Sequence, residues 1–501
     1  MYYDNSNPSL STMKCPYKKS GQPDPHKHIK YDPQPKKICN TILDAIGNTP
    51  MVRLNKIPKE EGVECEILAK CEYLNPSGSM KDRIAKRMVE DAEESGRIVQ
   101  GKTKLVEPSS GNTGIAFALV SAVKQYPLTI TMNEKMSQEK EDVMTGLGAK
   151  VIRTPGEAKY KDKESLYQVC QSLQEKDEYV CLDQYTNTGN SLAHYDGTGS
   201  EILYQCDNKV DVVVIGTGTC GTLTGISRRI KEVNPNCKII AVDPFGSVLS
   251  MPQSLNEKKQ PHDVEGIGKD FIPRNLDRDM VDKWVKVGNE EAQPMARRLF
   301  QSEGLFCGGS SGAIVQTAIN YAKEQKLGKD VRIVCLLADN VRNYLTKFLQ
   351  KEWMVDKGLM QPKTLVQENH QFAGIELEKL GITKIPNFTP DLDLNQAMEE
   401  FERLQIPQLP IVQDNKIASA VPQEKLTSYI IQNKLSLSDK VQRVWTKEFS
   451  SVKYEDVDVA CLERLLARRP VVFVMKNFQT PQLEIYPVLH KHLFPLLKRL
   501  K

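Results

Sequence analysis

Long apolar runs are missing from this 501-residue chain: no stretch approaches the roughly 20 residues that a bilayer-spanning helix needs. No signal-peptide core follows Met1, so no secretory route is expected. Charge of one sign is scarce as well. Lys and Arg number 68 against 64 Asp and Glu, a formal net charge of +4, and no basic block marks a nucleic-acid or membrane surface. Paired cysteine spacing is also absent. Twelve scattered cysteines fit reduced thiols in the cytoplasm rather than a disulfide framework. What remains is ordinary for a soluble globular protein: 40% hydrophobic, 26% charged, and long enough for about three domains.

Residues 1–38 are polar, rich in Pro, Lys, Asn and Ser, and lack helical or strand period, so they cannot bury a core of their own. This arm carries Cys15 and His26, with His28 close by. A thiolate and an imidazole can ligate a metal or haem iron, and Lys18 and Lys19 favour the thiolate. The same residues fit an unstructured tail, because their spacing matches no standard zinc pattern. Spacing alone favours the tail.

From Ile38 onward short apolar strands alternate with helical stretches. Strands are predicted at 67–71, 104–107, 128–132, 210–215, 238–242 and 332–337, with helices such as 137–147 and 222–233 between them. That alternation predicts a mostly parallel sheet covered on both faces, whose ligands bind beyond the carboxyl ends of the strands.

The chain is organised around Asn75-Pro-Ser-Gly-Ser-Met-Lys81-Asp-Arg83, which joins the first of these strands to a helical pattern. Lys81 falls at the first helical turn, where the positive end of the helix dipole disfavours an ammonium. More of its amine is then neutral, the form that attacks a carbonyl. A lone lysine is more often a solvated surface charge. Three glycine-rich loops raise its standing. Glu107-Pro-Ser-Ser-Gly-Asn112-Thr-Gly114 places small residues and free amides at a helix start, a nest for a carboxylate, or an ordinary turn. Gly216-Thr-Gly-Thr-Cys-Gly-Thr222 satisfies a dinucleotide fingerprint, with Asp243 ending the next strand. Read literally it makes an NAD-dependent dehydrogenase, yet its three threonines suit a terminal phosphate monoester equally. Cys307-Gly-Gly-Ser310-Ser-Gly312 also opens a helix.

Together Ser77-Gly-Ser-Met-Lys81-Asp-Arg, Ser110-Gly-Asn-Thr-Gly114, Gly218-Thr-Cys-Gly-Thr222 and Gly308-Gly-Ser310 resemble the signature set of the β-family (fold-type II) pyridoxal-phosphate enzymes. Within that group the chain is similar to the cystathionine β-synthases. The details are Asp183-Gln-Tyr185, Ala193-His-Tyr-Asp196, Val264-Glu-Gly-Ile-Gly268, Asp270-Phe-Ile-Pro273 and Val341-Arg-Asn-Tyr344. The resemblance implies two subdomains built on an open, twisted, mostly parallel sheet. It implies a catalytic domain over 39–356 after the arm, a linker over 357–371, and a C-terminal tandem CBS (Bateman) module over 372–501.

It also implies roles. Lys81 holds pyridoxal 5'-phosphate and later acts as base at the substrate Cα; Asn112 meets the cofactor's ring hydroxyl. Gly218, Thr219, Cys220, Gly221 and Thr222 hold its phosphate, with the Cys220 thiol turned away from it. Ser310 partners the pyridine nitrogen, and a neutral hydroxyl there favours elimination to an aminoacrylate over transamination. Ser109, Ser110 and Thr113 grip the substrate carboxylate, Gln184 and Tyr185 line the substrate site, and the loop from Gly266 to Gly268 closes over it. Lys269 stands where the resemblance leads one to expect an aromatic residue, which bears on the second, thiol substrate. The implied reaction condenses L-serine with L-homocysteine to L-cystathionine and water. Cysteine synthesis or hydrogen sulfide production is the alternative. A homodimer or larger homo-oligomer is expected.

Pro25-His26 matches a dipeptide on the arm of animal relatives, which implies a haem held by Cys15 and His26, with Arg228 paired to the thiolate. In the C-terminal region Asp391-Leu-Asp and Asp456-Val-Asp each open a helix followed by an apolar strand, an internal repeat. Responsive relatives hold the ribose of S-adenosylmethionine with an aspartate near the end of the second unit. Here Tyr486-Pro-Val-Leu-His490-Lys-His492 offers no carboxylate, and Pro487 is expected to disturb the local strand. No activation by S-adenosylmethionine is expected.

Overall fold

The computed structural model describes residues 26–34, 38–109, 111–134, 136, 138–155, 158, 161–176, 178–258, 260, 262–366, 370–432 and 434–497. Cys15 and Ser110 lie outside them. The chain forms two compact units that divide between Leu345 and Thr346. The helix Lys351–Asp356 belongs to the second.

Among the described residues, ten strands build the first unit: β1 (Met51–Arg53), β2 (Glu66–Cys71), β3 (Lys104–Pro108), β4 (Leu128–Asn133), β5 (Lys150–Thr154), β6 (Tyr179–Cys181), β7 (Val212–Gly216), β8 (Lys238–Pro244), β9 (Lys283–Val287) and β10 (Arg332–Leu337). They make two sheets rather than one continuous sheet. The larger has the order β1-β2-β10-β7-β8-β9 and the smaller β5-β4-β3-β6. Every neighbouring pair is parallel except β1 with β2. Helices on both faces bury such strands twice over, which is why the central ones read as unbroken apolar runs. Alternate residues feed opposite cores. Val212, Val214, Ile240 and Val242 pack into one, and Val213, Ile215, Ile239 and Ala241 into the other.

Four helices follow the turns that the sequence singles out: Lys81–Glu94, Asn112–Lys124, Gly221–Val233 and Gly309–Glu324. The first is locked by charge. The Arg83 guanidinium donates to both oxygens of Glu72 and both of Glu201, and Glu201 also accepts from the buried Lys70. Burial opposes the Glu201 charge, but Arg83 and then Lys70 hold its carboxyl well below the usual range.

In the second unit the repeat has matching parts. Asp393 caps the helix Leu394–Leu404 through the Gln396 N–H, and Asp458 caps Val459–Leu466 through the Cys461 N–H. Each helix leads into an antiparallel hairpin: β11 (Gln408–Gln413) with β12 (Lys416–Pro422), and β14 (Val472–Lys476) with β15 (Glu484–Val488). The short β13 (Ser450–Lys453) runs parallel to β14. Pro487 does not break its strand. It sits in β15, opposite Phe473, and β15 is an edge strand where a missing N–H costs no ladder bond.

Candidate active site

The site forms where the chain leaves β10. Residues 338–340 bridge two of the motif turns: Met80 N–H donates to Ala338 O, Asn340 N–H to Gly78 O, and Gly308 N–H to Asp339 O. The Lys81 turn and the Ser310 turn are thereby held on either side of one extended segment. The Asp339 side chain recruits a third. It accepts from Asn112 Nδ2 at 2.6 Å and from the Tyr344 hydroxyl, while Asn343 donates to Asn112 Oδ1 at 2.9 Å. The amide of Asn112 is thus oriented through both its atoms. Ser310 is buried at the start of its helix.

Lys81 is the first residue of its helix and is 9% exposed. Its Nζ lies 3.3 Å from Thr219 Oγ1 on the second glycine loop. Burial, and secondarily the ammonium of Lys269, pulls its pKa from 10.5 down to about 8. The sequence pointed to the helix dipole; loss of water is the larger cause.

The loop 216–222 is shaped by near contacts. A Cβ on Gly218 would come within 2.6 Å of Gly266 O, and one on Gly221 would collide with the buried Asn190 amide. Asn190 donates to Thr219 Oγ1 at 3.0 Å and to Gln184 O at 2.7 Å, joining this loop to the Gln184–Tyr185 turn. Its Oδ1 is buried without a partner among the described residues. Thr222 Oγ1 lies 3.0 Å from Nε2 of His194, which burial, aided by Arg83 and Lys81, keeps neutral. Cys220 adopts a left-handed backbone, and its thiol donates to Gly218 O and packs into the core beneath the loop. These features fit a phosphate: a backbone cradle open only to glycine, hydroxyls, and a helix N-terminus. A buried amine beside it, with a lowered pKa and so a larger neutral fraction than an ordinary lysine, fits an aldehyde.

Asp243 does not serve a ribose. It is fully buried and consumed by Lys286 at 2.8 Å, Thr217 Oγ1 at 2.9 Å and Ser250 Oγ at 2.9 Å. The dehydrogenase reading fails on that carboxylate.

On the substrate side, Ser109 Oγ accepts from the N–H groups of Gly111 and Gly114 and so shapes the turn from within. Thr113 donates to Gln184 Oε1 at 2.7 Å. Glu107, which the sequence reading did not single out, accepts the N–H groups of Asp183 and Gln184. Burial and neighbouring Asp183 push its carboxyl up to about 8. Gly266 and Gly268 both have positive φ, and Gly268 N–H donates to Thr217 O at 2.7 Å, pinning the closing loop onto the glycine loop. Glu265 on this loop pairs with the buried Lys140.

The arm residue His28 binds Asp196 Oδ1 at 2.7 Å, and Arg87 binds the other oxygen at 2.8 Å. Arg228 donates to Asp277 Oδ2 at 2.6 Å. Among the described residues no group of three or more His, Cys, Asp or Glu is arranged to hold a metal ion.

The pyridoxal-phosphate dependent enzyme family model matches residues 42–339, and the chain belongs to that family. Its likeness to curated relatives extends further along the sequence. It is 44% identical to a Dictyostelium discoideum cystathionine β-synthase, over 88% of this chain and 90% of that one. It is 43% identical to one from Apis mellifera, over 88% and 87%. A hydrogen sulfide-producing enzyme from Fusobacterium nucleatum, 36% identical in its crystal structure, superposes with a TM-score of 0.56 over 62% of this chain and 99% of that one. Within its class the chain belongs to the cystathionine β-synthase family.

Proposed function

We propose that this chain condenses L-serine with L-homocysteine to L-cystathionine and water. The observation that carries the reading is Lys81: a buried amine with a lowered pKa, set between an oriented amide, a hydroxyl at a helix start and a phosphate-shaped loop. Lys81 would hold pyridoxal phosphate, with Gly218 to Thr222 on its phosphate, Asn112 on its ring hydroxyl and Ser310 on its ring nitrogen. When bound, the cofactor supplies an electron sink for charge developing at the substrate Cα. Lys81 takes the Cα proton and later returns it, a transfer suited to a pKa near working pH. The amides of Asn112 and Thr113 and the hydroxyls of Ser109 and Ser110 receive the serine carboxylate. Gln184, fixed by Thr113, and Tyr185 orient the substrate, and the loop 264–268 excludes water. In the net exchange the serine Cβ–O bond breaks and its hydroxyl leaves as water with the proton that the homocysteine thiol gives up, while the sulfur bonds to Cβ. Purified protein supplied with both substrates should form cystathionine. No product would refute the reading.

The likeness to the sulfide-producing enzyme favours one second activity, release of sulfide from cysteine, which the same preparation tests with cysteine alone. The arm is read as a haem site, with Cys15 and His26 as iron ligands and Arg228 shared between the thiolate and Asp277. A Soret band that Cys15→Ser removes is the expected result, and its absence from haem-supplied protein would exclude the site. Residues 372–501 are read as a tandem CBS module and the enzyme as a cytoplasmic homo-oligomer, whose size sedimentation measures.

A further inference from the structure

Lys269 follows the positive-φ Gly268 at the mouth of the Lys81 site, and its backbone is clamped by Ser247, which accepts from its N–H and donates to its carbonyl. Val248 N–H adds a third bond at 2.9 Å. The side chain then lies over an aromatic wall, 5.0 Å from the Tyr185 ring centroid and 5.9 Å from that of Phe271, which pack edge to face. Its Nζ is 3.2 Å from the Tyr185 hydroxyl, and among the described residues no carboxylate pairs with it. Aromatic faces hold an ammonium but do not neutralise it. A half-buried cation with only a phenol for polar company is a seat for an anion.

The geometry points to Lys269 as the specificity residue that binds the carboxylate of the incoming thiol amino acid. This rests on the condensation proposed above. The first substrate has its own carboxylate nest, in which Ser109 and Thr113 are each 4% exposed, whereas Lys269 is only half-buried and lies outside that nest. Its bond to Tyr185, which follows the Gln184 that Thr113 holds, sets Lys269 beside the substrate turn, and its charge adds to burial in lowering the Lys81 pKa.

The test compares homocysteine with homocysteamine, the same thiol without its carboxylate, in full-length holoenzyme with saturating serine. Losing a charge-assisted hydrogen bond weakens binding about ten- to a hundredfold. The ratio of kcat/KM for homocysteine to that for homocysteamine should therefore fall about tenfold or more in Lys269→Met, through KM, and recover in Lys269→Arg. A ratio unchanged in Lys269→Met, with both thiols impaired alike, overturns the assignment, as does a rise in the serine KM alone. Wild-type protein that makes no thioether from either thiol would refute the condensation itself.

Discussion

On the proposed reading Lys81 carries the chemistry, and burial leaves its amine little water to stabilise a charge. With a pKa of about 8, roughly a tenth of the amine is neutral at pH 7, against less than about 0.1% for an ordinary lysine. Capture of an aldehyde by Lys81 in cofactor-free protein should rise with pH through a midpoint near 8. Lys269→Met removes a repelling charge and should move that midpoint upward. A midpoint near 10.5 in the wild type would contradict the account. The lysine itself was legible from its motif. Its burial was not, because the side chains that enclose it come from distant parts of the chain. The same holds for Asp339, 227 residues from the Asn112 it orients, and for Asn190, which lies in no recognised glycine loop, while the partners of Glu107 lie 76 and 77 residues away from it.

Among the elements, the helix Lys81–Glu94 depends on the Arg83, Glu72, Glu201 and Lys70 network beneath it. Removing one partner strands buried charge, so Glu201→Ala should destabilise the first unit by about 3–5 kcal/mol. Glu201 has a depressed folded pKa, so its contribution is present above about 4.5, the unfolded value, and fades as pH falls below it. The gap between wild type and variant in denaturant unfolding should therefore be full near pH 7 and shrink on acidification. A constant gap would show that packing rather than charge holds the helix. Six of the ten strands of the first unit were legible from their apolar runs. The other four are β1, β5, β6 and β9, and all four are sheet edges. An edge strand is partly open to water and carries polar residues, as in Lys150-Val-Ile-Arg-Thr154, so no apolar run betrays it. Pro487 misled for the complementary reason: an edge tolerates proline.

Across the whole molecule, the two units have separate cores: Ile385 and Phe473 anchor one of the second unit's, and Leu377 and Val474 the other. The closing stretch of that unit supplies no carboxylate for a ribose, and His490 there bonds to Leu466 O at 2.8 Å within its own fold. Adding S-adenosylmethionine to the full-length enzyme should leave kcat unchanged. Saturable activation would show that another residue replaces the missing aspartate.

The proposed condensation depends first on the Lys81 amine. Cystathionine formation from serine and homocysteine, measured side by side in pyridoxal-phosphate-loaded wild type and Lys81→Ala, is the test. Turnover in the wild type and none above background in a folded variant is the predicted result. Comparable turnover in both would contradict the account.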